Sequence, residues 1–91
     1  MMTYEIIQVV PQDDFTVWVY FADGKITCYD AKPNLSKGLF KKINDIKTFK
    51  EKCKIMNDTL SWDIGVNGEE DCLDIAPETL YQCPEIEEAI V

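Results

Sequence analysis

F-T-V-W-V-Y-F-A-D-G-K-I-T-C-Y-D-A-K-P, residues 15–33, predicts a β-hairpin around which the rest of the chain is arranged. Every residue from Phe15 to Phe21 is β-branched or aromatic, a composition that fits a pleated sheet. Asp23-Gly24 separates this run from a second strand over residues 25–31. We expect a two-residue type I′ turn there, because Asp-Gly tolerates the positive φ that both central residues of that turn require.

A two-residue turn fixes which residues of the two strands face each other. Ala22 would then face Lys25, and Trp18 would face Tyr29. Because side chains alternate along a strand, the predicted core face carries four apolar residues of the first strand. These are Phe15, Val17, Val19 and Phe21.

The opposite face of the predicted hairpin is aromatic rather than charged. It carries Trp18, Tyr20 and Tyr29, so we expect a helix or a second copy of the chain to cover it. Two interpretations remain open. The three rings are cross-strand pairs that stabilise the sheet, or they form a surface for a ligand or partner.

The remaining segments predict a small α+β domain. A strand over residues 4–10 completes a three-stranded meander, and a second hairpin follows over residues 53–64 with a short extended piece at 71–75. Ser36 and Asp45 are the expected N-caps of two short helices, and Pro77 begins a helical turn. We therefore expect one domain over residues 1–91, a small antiparallel sheet with one or two short helices packed on one face. A frayed, acidic tail is expected over residues 83–91, and we expect it to be helical from Glu85 onward.

Composition and charge exclude several classes of function. The net charge is −8, there is no arginine, and all nine lysines lie between residues 25 and 54, which disfavours nucleic-acid binding. No apolar run approaches the ~20 residues of a membrane helix, and the first residues do not resemble a signal peptide. We therefore expect a cytoplasmic protein whose four cysteines are free thiols.

Catalytic groups are scarce, and no cofactor motif occurs. The chain has no histidine, which excludes Ser-His and Cys-His arrangements, and its four glycines are isolated rather than grouped in a phosphate loop. We expect no enzymatic activity and no cofactor.

One acidic segment, residues 63–74, partly matches the calcium-binding loop of an EF-hand. Asp63, Asn67, Asp71 and Asp74 fall at positions one, five, nine and twelve, and Gly68 falls at the sharp turn at position six. Position three is Gly65, which supplies no side-chain ligand. The alternatives are a weak cation site and a solvated acidic loop.

Several short motifs together resemble one family. They are F-x-D-G-K (21–25), Y-D-x-x-P (29–33), S-W-D-I-G (61–65) and E-D-C-L-D-I-A-P-E-T-L-Y (70–81). Over about residues 4–82 the chain resembles the bacterial domain-of-unknown-function family 2442. The resemblance implies a small α+β domain of prokaryotes, sometimes encoded beside a toxin-like gene and then regarded as an antitoxin. It implies no catalytic residues.

These observations together predict a non-enzymatic protein-interaction module, with an antitoxin-like role toward a small basic toxin as its most specific form. The expected interaction surface comprises Trp18, Tyr20, Tyr29, Glu69, Glu70 and Asp71. The alternative is a small ligand- or cation-binding protein. Homodimerisation through the aromatic face is compatible with either function.

Overall fold

Three antiparallel strands form the first sheet in the order of the sequence. The computed structural model describes residues 4–65 and 71–86. β1 spans Ile6–Pro11, β2 spans Thr16–Phe21 and β3 spans Ile26–Asp30, with β2 in the centre. Side chains alternate along β2 as expected, and Val17, Val19 and Phe21 are buried. The predicted meander is therefore confirmed.

The turn between β2 and β3 is longer than predicted, and this changes the register. The Phe21 N–H donates to the Lys25 carbonyl and the Gly24 N–H donates to the Phe21 carbonyl, so the loop has three residues. Gly24 has φ of +95°, as in a type I turn followed by a bulge. Trp18 consequently faces Cys28, and Tyr29 faces Val17. The predicted pairing of Trp18 with Tyr29 was wrong by one residue.

A second antiparallel sheet forms after the helical region. β4 spans Cys53–Met56, β5 spans Thr59–Asp63 and β6 spans Cys72–Asp74, with β5 in the centre. The β4–β5 turn has two central residues, Asn57 and Asp58, both with positive φ. The type I′ turn predicted for the first hairpin is therefore the geometry of the second hairpin. The two sheets are separate, whereas the sequence suggested one.

The helical segments are short. Lys32–Asn34 and Gly38–Ile43 form 3₁₀ turns, and the α-helices are α1, Ile46–Lys52, and α2, Pro77–Tyr81. The Asp45 side chain accepts a hydrogen bond from the Thr48 N–H, which confirms its predicted role as the N-cap of α1.

The short helix predicted to begin at Ser36 is formed only as the 3₁₀ segment Gly38–Ile43, not as an α-helix. Gly38 has φ of +49°, outside the right-handed helical region, so a continuous helix stops there. A 3₁₀ helix has three residues per turn, so residues four apart do not share a face. Ile43 is buried accordingly, while Leu39 is 45% exposed.

The segment after α2 lies along the free edge of β3. The Cys28 N–H donates to the Pro84 carbonyl, and the Ile86 N–H donates to the Ile26 carbonyl. Glu85 consequently pairs with Thr27 in an antiparallel bridge. The helical tail predicted from Glu85 is therefore wrong for residues 85 and 86, which are extended, and the rest of that tail lies outside the described residues.

Both sheets and all helical segments except Lys32–Asn34 contribute to one core. Trp62 lies within it, and its indole N–H donates to the Phe49 carbonyl over 3.0 Å. The Tyr29, Phe40 and Phe49 rings surround the indole at centroid distances of 6.4, 6.3 and 5.3 Å. The buried apolar residues of this core cluster are Ile6, Val17, Val19, Phe21, Tyr29, Ala31, Ile43, Phe49, Leu60, Trp62, Ile64 and Leu80.

Candidate functional site

The aromatic face predicted from the sequence is present in part. Trp18 and Tyr20 lie on the side of the first sheet opposite Val17 and Val19, and both are half-buried. Tyr29 does not join them, because the one-residue change of register turns its side chain to the core. There it is 7% exposed and packs near Trp62. The prediction that Tyr29 belongs to this face was therefore wrong.

Other apolar side chains take the place of Tyr29 beside the two rings. Val10 and Cys28 flank Trp18 on the neighbouring strands, and Ile26 lies beside Tyr20. We call these five residues, Val10, Trp18, Tyr20, Ile26 and Cys28, the outer face. All five are half-buried, and none belongs to the core cluster or packs against it. The outer face is thus an apolar surface that the core does not use.

The buried helical side chains all lie on the other side of the first sheet. Ile43, Phe49 and Leu80 belong to the same core cluster as Val17 and Val19. The Thr27 hydroxyl, which is on the core face of β3, donates to the Leu80 carbonyl over 2.8 Å and fixes α2 there. The buried helical side chains therefore cover the core face of the first sheet and not the outer face.

The structure describes only part of the acidic loop, residues 63–74. Asn67, Glu69 and Glu70 lie outside the described residues. Asp63 accepts a hydrogen bond from the Gly65 N–H and lies 3.7 Å from the Lys54 ammonium. The first carboxylate of the predicted cation site therefore contacts the backbone just after β5 and a lysine of β4.

The other two carboxylates of this loop also have protein partners. Asp71 accepts from the Cys72 N–H, and Asp74 accepts from the Asn57 side chain over 3.1 Å. The Ser61 hydroxyl, opposite Asp74 on β5, lowers the pKa of Asp74 below its usual value, with smaller contributions from Cys72 and Asn57. Within residues 4–65 and 71–86, no three acidic or cysteine side chains are placed to hold a metal ion together.

A polar cluster joins two of the sequence motifs that lie far apart in the chain. The Tyr81 hydroxyl donates to the Asp23 carboxylate over 2.7 Å, and the Lys25 ammonium lies 3.9 Å from the centre of the Tyr81 ring. Tyr4 and Phe21 pack on the same ring at 4.7 and 4.9 Å. The hydrogen bond lowers the pKa of Asp23 and raises the pKa of Tyr81. The cluster fastens the β2–β3 turn to α2.

Sequence reasoning missed this cluster because no local signal connects its members. Asp23 and Tyr81 are 58 positions apart, and each fits its own motif without reference to the other.

Other motif residues also have structural partners. The Asp30 carboxylate accepts from the Lys32 N–H, and Asn34 donates to the Tyr29 hydroxyl. The motifs that carry the family resemblance therefore include many contacts that hold the fold.

All four cysteines are free thiols, as expected from the sequence. Burial raises the pKa of Cys53 to about 12, and it raises the pKa of Cys83 as well. The Asp74 carboxylate raises the pKa of Cys72. Since the thiolate is the reactive form of cysteine, these three side chains are poor nucleophiles at neutral pH.

The fold and its contacts define a small α+β domain in which one apolar sheet face does not pack against the core cluster. A family model described as "Protein of unknown function (DUF2442)" matches residues 6–83, and the chain belongs to this family. Comparisons with curated proteins and with solved structures gave no match. None of the helices in the described parts of the chain is long and apolar enough to span a membrane.

Proposed function

We propose that this chain is a non-enzymatic protein-interaction module whose partner binds the outer face. The observation that carries the proposal is the position of Trp18 and Tyr20 on an apolar sheet surface that does not pack against the core cluster. Contiguous apolar patches of this kind commonly mark interaction sites, and tryptophan and tyrosine are enriched in the centres of protein interfaces.

The partner we propose is a small basic protein, toward which this chain acts like an antitoxin. Support comes from the net charge of −8, because complementary charge speeds association and disfavours acidic competitors. The proposed setting is the cytoplasm, which is consistent with four free thiols. The raised pKa values of Cys53, Cys72 and Cys83 support a role without nucleophilic catalysis.

The test is capture of the partner by the tagged full chain from its native host. We expect a stoichiometric small basic protein to be retained by the wild-type chain. Trp18→Ala should weaken its binding at least about tenfold, because a buried interface tryptophan is often worth 2 kcal/mol or more. Leu39→Ala is the matched control, since Leu39 is exposed, apolar and outside the outer face. Circular dichroism checks that both variants fold.

Two further measurements separate this proposal from its competitors. Expression of the captured protein alone should arrest growth, and co-expression of this chain should relieve the arrest. Light scattering on the purified chain should give a monomer. A dimer that Trp18→Ala dissociates would show that a second copy occupies the outer face, and equal capture by both variants would remove the outer face from the interaction.

A further inference from the structure

A groove of about 590 Å³ lies beside the core, between the start of β1, the β4–β5 turn and the start of α2. Tyr4, Ile6 and Ile55 form its apolar surface. Ile6 is buried in the core cluster, whereas Ile55 is 37% exposed and does not belong to that cluster. Tyr4 packs against that cluster and is half-buried, so the uncovered apolar surface of the groove is that of Ile55 and of part of Tyr4.

The rim of this groove is acidic. Glu5, Asp58 and Glu78 line it, and all three are exposed. The ion pairs between described residues are formed by other carboxylates, those of Asp13, Asp30 and Asp63. No lysine lines the groove. Among the described residues, no cation thus lines the groove or forms an ion pair with these three carboxylates, which lie beside its apolar residues.

We propose that this groove binds an arginine-bearing segment of a basic protein partner. An arginine side chain has an aliphatic stem that can cover Ile55, while its planar guanidinium group can pair with carboxylates on the rim and stack on Tyr4. The chemistry of the groove, apolar below and negative around, matches that of such a side chain.

The dimensions and the chemistry favour a peptide segment over an ion. The volume falls within the roughly 300–1,000 Å³ of ordinary ligand pockets and so accommodates several side chains. A metal ion would need converging ligands, and no three acidic side chains of the described residues are placed to hold one together. The proposed occupant is therefore a peptide segment that fills the groove and places its positive charge at the rim.

This inference rests on the proposed function only in taking the partner to be a basic protein. The groove shares no residue with the outer face, so the two surfaces can be tested separately. A short peptide tests the groove without the partner, and the capture experiment with Trp18→Ala tests the outer face without the groove.

The experiment is a titration of the isotope-labelled full chain with the blocked tripeptide acetyl-Leu-Arg-Leu-amide, followed by NMR. We expect saturable shifts of the amide signals of Ile6, Ile55 and Glu78 and no comparable shifts at Trp18. Each carboxylate removed should weaken binding about two- to fivefold, so Glu5→Gln combined with Glu78→Gln should weaken it about tenfold.

The matched control is Glu51→Gln combined with Glu85→Gln, which removes the same charge from exposed positions outside the groove. At physiological salt this pair should change binding less than twofold, because distant charges are screened. The peptide with citrulline in place of arginine, which is neutral, should bind at least about tenfold more weakly. Equal weakening by both double variants, shifts centred on the outer face, or no saturation at millimolar peptide would overturn the proposal. Spermidine that binds as tightly as the arginine peptide would also overturn it, since the groove would then be a polyamine site.

Discussion

Gly24 closes the β2–β3 loop with a positive φ. Its φ of +95° is one that residues with a Cβ rarely adopt, and a three-residue loop of this kind needs it at its last position. Space is not the constraint, since a Cβ at this position would meet nothing within 4 Å. The three-residue loop that ends at Gly24 sets the pairing of β2 with β3, and with it the burial of Tyr29.

Replacing Gly24 should therefore destabilise the fold through backbone strain alone. We expect Gly24→Ala to lower the free energy of unfolding by about 1–2 kcal/mol, and Gly24→Asn to lower it less, because asparagine tolerates positive φ better. Urea unfolding followed by tryptophan fluorescence measures both changes. An alanine variant as stable as the wild-type chain would show that the turn does not require positive φ.

Among the elements, the strands were more predictable than the contacts between them. Alternation identified the buried face of β2, and Asp45 identified the start of α1, because both signals are local. Asp-Gly is compatible with a two-residue and a three-residue loop, so the sequence alone did not determine the register. This single ambiguity placed Tyr29 on the wrong face.

The candidate sites were predictable only where a local pattern specified them. Trp18 and Tyr20 follow from strand alternation, whereas the contact between Asp23 and Tyr81 joins residues 58 positions apart. The acidic groove likewise combines residues from three distant segments. Contacts between residues that are far apart in the sequence depend on how the two sheets and α2 pack together. The spacing of residues within one motif does not specify that packing.

The edge pairing of residues 84–86 on β3 gives an element-scale prediction. Ile86→Pro removes the N–H that donates to the Ile26 carbonyl, whereas Ile86→Ala keeps it. We expect the proline variant to be about 1 kcal/mol less stable than the alanine variant, the usual net value of one hydrogen bond. Amide exchange at Cys28 should also become faster in the proline variant, because its partner, the Pro84 carbonyl, would move away. Equal exchange rates in the two variants would mean that this edge is not held by the pairing.

At the scale of the whole molecule, the shifted pKa values predict how stability depends on pH. Hydrogen bonds lower the pKa values of Asp14, from Thr16, and of Asp23, from Tyr81, relative to their usual value of 3.8. A lowered pKa means that the unfolded chain takes up protons first as the pH falls. Stability contributed by these carboxylates is present above pH 4 and is lost as the pH falls through their lower folded-state values.

At alkaline pH, the free energy of unfolding changes with pH in the opposite direction. The pKa of Cys53 is raised from 9.0 to about 12 by burial, so its thiol ionises in the unfolded chain before it ionises in the fold. The free energy of unfolding should fall as the pH rises from about 9 toward 12. Urea unfolding with a phosphine reductant across this range measures the loss, and Cys53→Ser should reduce its slope. A slope unchanged by that substitution would contradict the assignment to Cys53.

The bridge between Thr27 and Glu85 also has a consequence for the order in which the protein is made. A ribosome releases β1, β2 and β3 early, but the segment that closes the β3 edge is synthesised only after both sheets and α2. Throughout that interval the nascent meander carries an open strand edge, the kind of surface on which chains pair with one another. This edge of β3 can be paired only after residues 84–86 have been made, so we expect closely spaced ribosomes on one message to favour association between nascent chains.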